Sequence, residues 1–319
     1  MPSVKDPIDV TPLRTRPLES RKSKVERAAF ARPFEAGRTF RTFLDGLPNL
    51  LASRDIRALS RAVAESHRSG YHVVLAMGAH VIKVGLNPVV IDLMKRGIIT
   101  ALALNGAGII HDVELAMVGR TSEDVAEGLE TGDFGMAKET AEFLNRAISK
   151  ATEENLGLGR AVGRLIIEEN LPFQDETLLA TATRMDIPAT VHVAIGTDII
   201  HVHPGFDPAA AGRASHLDFR VFCSVVAALE NGVYFNVGSA VVLPEVFLKA
   251  LTLVRNLGYC VEHFITVNMD FIRHYRPMTN VVLRPTSKGG TGYNLVGHHE
   301  IMLPLLAAAV IEILEGSSP

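Results

Sequence analysis

Two hydrophobic periodicities alternate along most of this chain. Short, continuous apolar runs at 71–77, 98–104, 187–194, 232–237, 260–267 and 293–296 predict buried β-strands. Between them lie stretches with apolar residues three or four apart, which predict helices at 49–68, 87–97, 136–151, 157–169, 217–229, 244–257 and 300–314, with one more opening directly after Gly108. Pro88 suits the first position of its helix and Gly97 the residue that ends it. Residues 119–184 are less regular and are broken by Gly132-Asp-Phe-Gly135. Strand, glycine turn, helix, strand is the order of a parallel sheet with both faces covered. The expected fold is therefore α/β: a doubly wound, mostly parallel, Rossmann-like sheet with helices on both faces.

Residues 1–42 depart from this pattern. They carry ten Lys/Arg against five Asp/Glu, with Pro2, Pro7, Pro12, Pro17 and Pro33, and cannot build a core alone. This segment reads as an N-terminal arm, either solvated or strapped across a neighbouring subunit, ahead of a single domain at 43–319. The 319 residues are 47% hydrophobic and 21% charged, with a net charge of −3. That excludes disorder as the dominant state, and it excludes the broad positive field of a nucleic-acid binder. Cys223 and Cys260 show no motif spacing and read as buried free thiols. No apolar stretch has the form of a signal peptide or a membrane span, so a cytoplasmic protein without membrane or nucleic-acid partners is expected.

Ligands of open parallel sheets bind at the carboxyl ends of the strands, where small residues admit them and helix N-termini face them. Four segments have that form: Met77-Gly-Ala-His80, Asn105-Gly-Ala-Gly108, Asn236-Val-Gly-Ser-Ala240 and Val296-Gly-His-His299. They nominate Gly78, Asn105, Gly106, Ala107, Gly108, Gly238, Ser239, Gly297 and His298 for a nucleotide-sized ligand, although no strict GxGxxG is present. His111 and Asp112 read as an acid/base pair or as caps, and Asp112 is counted with the cofactor residues. His201-Val-His203 has metal-ligand spacing on a strand, but with no HExxH or Cys/His cluster no metal is expected.

The run from Ala79 to Asp112, with Ile187-Pro followed by Gly196-Thr-Asp198, Val237-Gly-Ser-Ala-Val-Val242 and Glu300-Ile-Met-Leu-Pro-Leu-Leu306, resembles the deoxyhypusine synthase family over roughly 72–118 and 185–312. The resemblance implies bound NAD and a homotetramer with shared sites. It also implies a reaction in which an amine is oxidised and its alkylamine group passes through a lysine imine to an acceptor. By position, Lys288 in Arg284-Pro-Thr-Ser-Lys-Gly-Gly-Thr-Gly292 is the implied nucleophile, and Asp198 the acid that holds the polyamine.

Two departures alter that picture. Leu243-Pro-Glu245 stands where the family has its base histidine, and the basic segment Asp270-Phe-Ile-Arg-His-Tyr-Arg276 replaces an acidic loop. Arg273, Arg276 and Arg284 suit a carboxylate or phosphate, so with Asp270 they are assigned to an anionic small-molecule substrate. His274 beside two arginines would keep its neutral form, as a general base requires. The sequence therefore predicts a diverged NAD-dependent transferase. Its rivals on the same fold are an isomerase or lyase of a small phosphorylated or carboxylated metabolite, and a non-catalytic ligand-binding relative.

Overall fold

The structure, a computed structural model, describes residues 5 and 7–316; Pro2 of the arm lies outside them. Chain contacts divide it into two units, Met1–Arg54 and Asp55–Pro319. In the first, α1 (Phe40–Gly46) starts at Thr39, whose side chain accepts from the Thr42 amide at 3.2 Å. The Arg32 amide donates to Gly46 O at 2.8 Å and the Asn49 amide to Ala29 O at 2.9 Å. Leu44 is the buried residue of α1, and Phe34 meets Phe43 edge to face at 6.1 Å.

The second unit holds the sheet. After α2 (Leu51–Arg68) come β1 (Val73–Met77), α3 (His80–Lys83), α4 (Asn87–Lys95), β2 (Ala101–Asn105) and α5 (Gly106–Val118). Four helices follow: α6 (Val125–Thr131), α7 (Lys138–Glu153), α8 (Leu158–Glu168) and α9 (Leu178–Arg184). Then come β3 (Ala189–His192), α10 (Pro208–Ala227), β4 (Val233–Val237), α11 (Val242–Asn256) and β5 (Ile265–Asp270). The chain closes with α12 (Tyr275–Pro277), a π-helical stretch (Met278–Leu283), β6 (Thr291–Val296) and α13 (His299–Glu315). All five strand pairings are parallel, in the order β3-β2-β1-β4-β5-β6. This is the doubly wound arrangement, and its strand order reverses between β1 and β4.

Alternate residues of each strand enter two cores, because successive side chains leave a strand on opposite faces. Val73, Leu75, Met77, Leu102, Leu104, Val233 and Val237 face the larger core, which α4, α5, α7, α8 and α9 close. Val74, Ala76, Ala101, Ala103 and Tyr234 face the smaller one, under α10 and α11. There Tyr234 stacks on Phe247 at 3.8 Å and 7°. Backbones approach closely where glycine permits: a Cβ on Gly159 of α8 would lie 2.1 Å from Ala189 O of β3.

Among the described residues six strands form where six were expected, with two corrections. The fifth begins at Ile265, because residues before it are drawn away: the amides of Glu262 and His263 donate to the Glu230 carboxylate at 2.6 and 3.1 Å. Cys260 is accordingly exposed, not buried like Cys223. His201 and His203 do not share a strand face, since Ile199–Val202 is a 3-10 turn. The irregular region 119–184 resolves into α6 to α9, two of them only seven residues long and too short for a clear period. Among the described residues no helix is long and apolar enough to cross a membrane.

Candidate functional site

The parallel sheet gathers the ends of β1, β2, β4, β5 and β6 on one edge, and the nominated small residues fall there. At the point of reversal, the Gly78 amide donates to Val237 O at 2.9 Å, and a Cβ on Gly78 would lie 2.3 Å from Gly238 O. Two strand ends thus meet backbone to backbone. Gly238, at φ 67°, lies beneath the His299 ring, which a Cβ would meet at 2.8 Å. Ser239 Oγ accepts from the Leu243 amide at 3.2 Å in the first turn of α11. Gly297 lies against Met302, and its amide donates to Asp270 O at 3.0 Å, continuing the β5–β6 ladder.

At the end of β2, Asn105 caps α5 by accepting from the Gly108 amide at 3.0 Å. The Asp198 carboxylate covers the same helix start. A Cβ on Gly106 would lie 2.0 Å from Asp198 Oδ2, and the Ala107 amide bonds the carboxylate. Two N-terminal amides of α5, those of Ala107 and Gly108, are therefore engaged by side chains of this chain. Asp198 is buried, and burial raises its carboxyl above the ordinary value, opposed mainly by His201. His201 Nε2 is 3.8 Å from Asp198 Oδ2, and both atoms are buried without a hydrogen-bond partner. The Gly196 amide donates to His201 Nδ1 at 3.0 Å, so a neutral ring carries its proton on Nε2, toward Asp198.

A second polar row crosses the smaller-core face of the sheet. Asn236, Asn268 and Asn294 are in register on β4, β5 and β6. Asn236 Nδ2 donates to Asn268 Oδ1 at 2.8 Å, and Asn268 Nδ2 to Asn294 Oδ1 at 2.8 Å. Asn236 Nδ2 also holds Ser239 O at 2.9 Å, while its Oδ1 is buried and unpartnered. Among the described residues, the unpartnered buried atoms at this edge are thus Asp198 Oδ2, His201 Nε2, Asn236 Oδ1 and His299 Nδ1. Sequence reasoning picked Asn236 only as the start of a turn and passed over its two partners; an asparagine near the end of each of three apolar strands was the available signal.

Other nominated residues lie elsewhere. Asp112 points into the core, where it accepts from the Leu178 and Leu179 amides at 2.9 Å each and from Asn87 Nδ2 at 3.1 Å. It caps α9, and burial raises its carboxyl to about 6. His111 faces away from it, with Nδ1 2.6 Å from Thr121 Oγ1. Lys288 precedes β6 and so lies at the amino edge of the parallel sheet, the opposite end from Gly78 and Gly238. It is exposed there, 3.8 Å from Glu262, beside the Gly290 that packs on Phe264 O.

The three arginines do not converge. Arg276 donates to Glu245 Oε1 at 2.9 Å, Arg284 donates to Asn280 Oδ1 at 2.9 Å, and Arg273 is exposed. Asn280 also donates to Glu245 Oε1, at 2.8 Å, so Arg276 ties α12 and Asn280 ties the π-helical segment to α11. His274 faces a carboxylate, with Nε2 3.9 Å from Asp270 Oδ2. His203 Nε2 bonds Gly135 O at 2.9 Å, and among the described residues no group of three His, Cys, Asp or Glu is placed to hold a metal ion.

No protein-family model matches the chain, and no curated protein does. Solved structures share its fold. A LOR/SDH protein of Methanococcus maripaludis S2 matches 82% of this chain and 70% of its own, at 17% identity and a TM-score of 0.51. AgrE, in its ternary complex with ornithine and NAD+, matches 82% of this chain at 13% identity and a TM-score of 0.55, and the match spans 33% of AgrE. A protein described as a deoxyhypusine synthase of Entamoeba histolytica matches 89% of this chain and 97% of its own, at 10% identity and a TM-score of 0.51. At these identities the likeness is one of fold: a six-stranded parallel Rossmann-like sheet wrapped in helices.

Proposed function

We propose that this chain is an enzyme that binds NAD across the carboxyl edge of the sheet and uses it to oxidise a carbon bearing an amine. The observation that carries this reading is the set of four buried, unpartnered polar atoms along that edge: Asp198 Oδ2 and His201 Nε2 by the start of α5 after β2, and Asn236 Oδ1 and His299 Nδ1 by the reversal between β1 and β4. Buried polar groups are rarely left without partners, so such a group of atoms suits a polar ligand. A dinucleotide lying across the reversal point of a doubly wound sheet fits that demand. AgrE, which shares the fold, is described with ornithine and NAD+, and the resemblance to deoxyhypusine synthases points to the same cofactor.

Bound NAD would supply a hydride acceptor. Gly78 and Gly238 keep the floor of the crevice low. The engaged amides of α5 leave the pyrophosphate to be held from the β1 and β4 turns rather than by that helix. Asp198 takes the proton released from the substrate nitrogen on Oδ2, where burial already favours the protonated acid. Asn236 and His299 orient ligand groups through Oδ1 and Nδ1.

In this reading the family-type lysine imine has no place on Lys288, which stands at the other edge of the sheet. Calorimetric titration with NAD should show one binding site per chain, and saturating NAD should raise the melting temperature. Lys288→Ala should leave that affinity unchanged within twofold. A wild-type chain that binds no NAD overturns the reading, and a lysine variant that loses NAD returns Lys288 to the site.

A further inference from the structure

Four rings that the proposed chemistry does not use for proton transfer meet at the carboxyl ends of β1, β5 and β6. Phe271 follows β5 directly, His298 and His299 follow β6, and His80 opens α3 after β1. His80 lies 5.9 Å from Phe271 and 5.6 Å from His299, and His299 meets Phe271 edge to face at 6.0 Å and 75°. The rings of Phe271 and His298 are parallel within 5°, with centroids 6.5 Å apart. Phe271 is 48% exposed, although the same edge buries most of its polar groups. Asp270 puts a buried carboxylate beside these rings, with Oδ1 4.0 Å from His299 Nε2.

We infer that Phe271 and His298 form a stacking subsite for a flat heteroaromatic ring bearing an N–H donor, the ring taken against their faces and the donor directed to Asp270. The two rings share one orientation within 5°, so a flat ligand ring can lie along the face of the half-exposed Phe271, and the exposed His298 ring turns to close the slot over it. Aromatic stacking tolerates any flat ring, because every base has a π-face, so the selection falls to the donor. An exposed phenyl ring at the functional edge is also what such a ligand would cover.

The inference rests on the dinucleotide reading, in which one end of NAD fills the slot. Adenine with its amino group and nicotinamide with its carboxamide share the required chemistry. Titrations with NAD, AMP and nicotinamide mononucleotide separate them: the mononucleotide that binds and competes with NAD identifies the end held.

Phe271→Ala should weaken NAD and that mononucleotide about tenfold or more while leaving the melting temperature of the free protein unchanged within a few degrees, and Phe271→Tyr should restore binding. NAD affinity unchanged in Phe271→Ala overturns the subsite while the dinucleotide reading stands. Absence of NAD binding in the wild type overturns that reading, and the slot then stands or falls on the mononucleotides: if neither binds, it is overturned as well.

Discussion

Replacing Asp218 with alanine is expected to cost the folded state about 3 to 9 kcal/mol, a large share of the stability of a single domain. The side chain sits on α10 and is 2% exposed. Its Oδ2 accepts from the Gly159 amide at 2.9 Å and the Val191 amide at 2.8 Å, and the Leu158 amide bonds it as well. One carboxylate thus joins α10, the start of α8 and β3. Gly157 is fixed by the same contact, since a Cβ there would lie 1.8 Å from Asp218 Oδ1. Alanine leaves three buried backbone donors without an acceptor, at about 1 to 3 kcal/mol each. Chemical denaturation of the two proteins measures the difference.

The same residue gives stability a pH dependence of unusual sign. Burial raises the Asp218 carboxyl to about 7, and that of Asp112 to about 6, against 3.8 for an ordinary aspartate. The folded state then holds protons that the unfolded state has already released. Their contribution is fully present below the unfolded value and is lost as pH rises through 6 to 7, with a slope of up to about 1.4 kcal/mol per pH unit for each group. Asp218→Asn keeps an acceptor but cannot titrate, so it should remove its part of the slope. A stability that instead rises from pH 5 to 7 in the wild type would contradict this assignment.

Gly78→Ala is the second large effect expected. The new methyl would lie 2.3 Å from Gly238 O and 3.0 Å from its carbonyl carbon, both backbone atoms that no side-chain rotation can clear. The ends of β1 and β4 must separate by most of an ångström. Overpacking of this kind costs about 1 to 3 kcal/mol. The larger loss is in binding: a displacement of about 1 Å at a preorganised site is enough for about a hundredfold. Gly212→Ala is the matched control, since its methyl would meet nothing within 4 Å in α10. NAD affinity reduced about a hundredfold in the first variant and unchanged in the second would place the ligand at the reversal point. Equal affinities would place it elsewhere.

Much of the fold was legible because strand and helix periods differ and the buried strands of a parallel sheet are continuously apolar. Every strand was found, and the turns after β1, β2, β4 and β6 were found with them. What periodicity does not show is which end of a strand a neighbouring loop occupies. Lys288 sits in a glycine-rich loop like the others, yet it enters a strand while they leave one, and that alone sets it at the opposite edge. Composition likewise misled about the arginines, because Glu245, far off in sequence, binds Arg276. Asp112 was chosen for its place beside Asn105, but successive residues on a helix point in different directions, and this one turns inward to cap α9. Asp218 gave no sign in the sequence at all: its partners are backbone amides, which carry no residue identity.

The row of Asn236, Asn268 and Asn294 has a direction. Each amide donates outward, from the centre of the sheet toward its β6 edge, so the free acceptor is left at β4. Aligned amides polarise one another, and a donor placed on Asn236 Oδ1 strengthens the bonds behind it. Occupancy at the centre is thereby transmitted about 10 Å across two strand spacings to an edge strand that has a neighbour on only one side. Slower hydrogen exchange of the Asn294 and Leu295 amides when NAD is added, abolished in Asn268→Leu, is the expected mark of this coupling. The last strand of the sheet would then report whether its centre is filled.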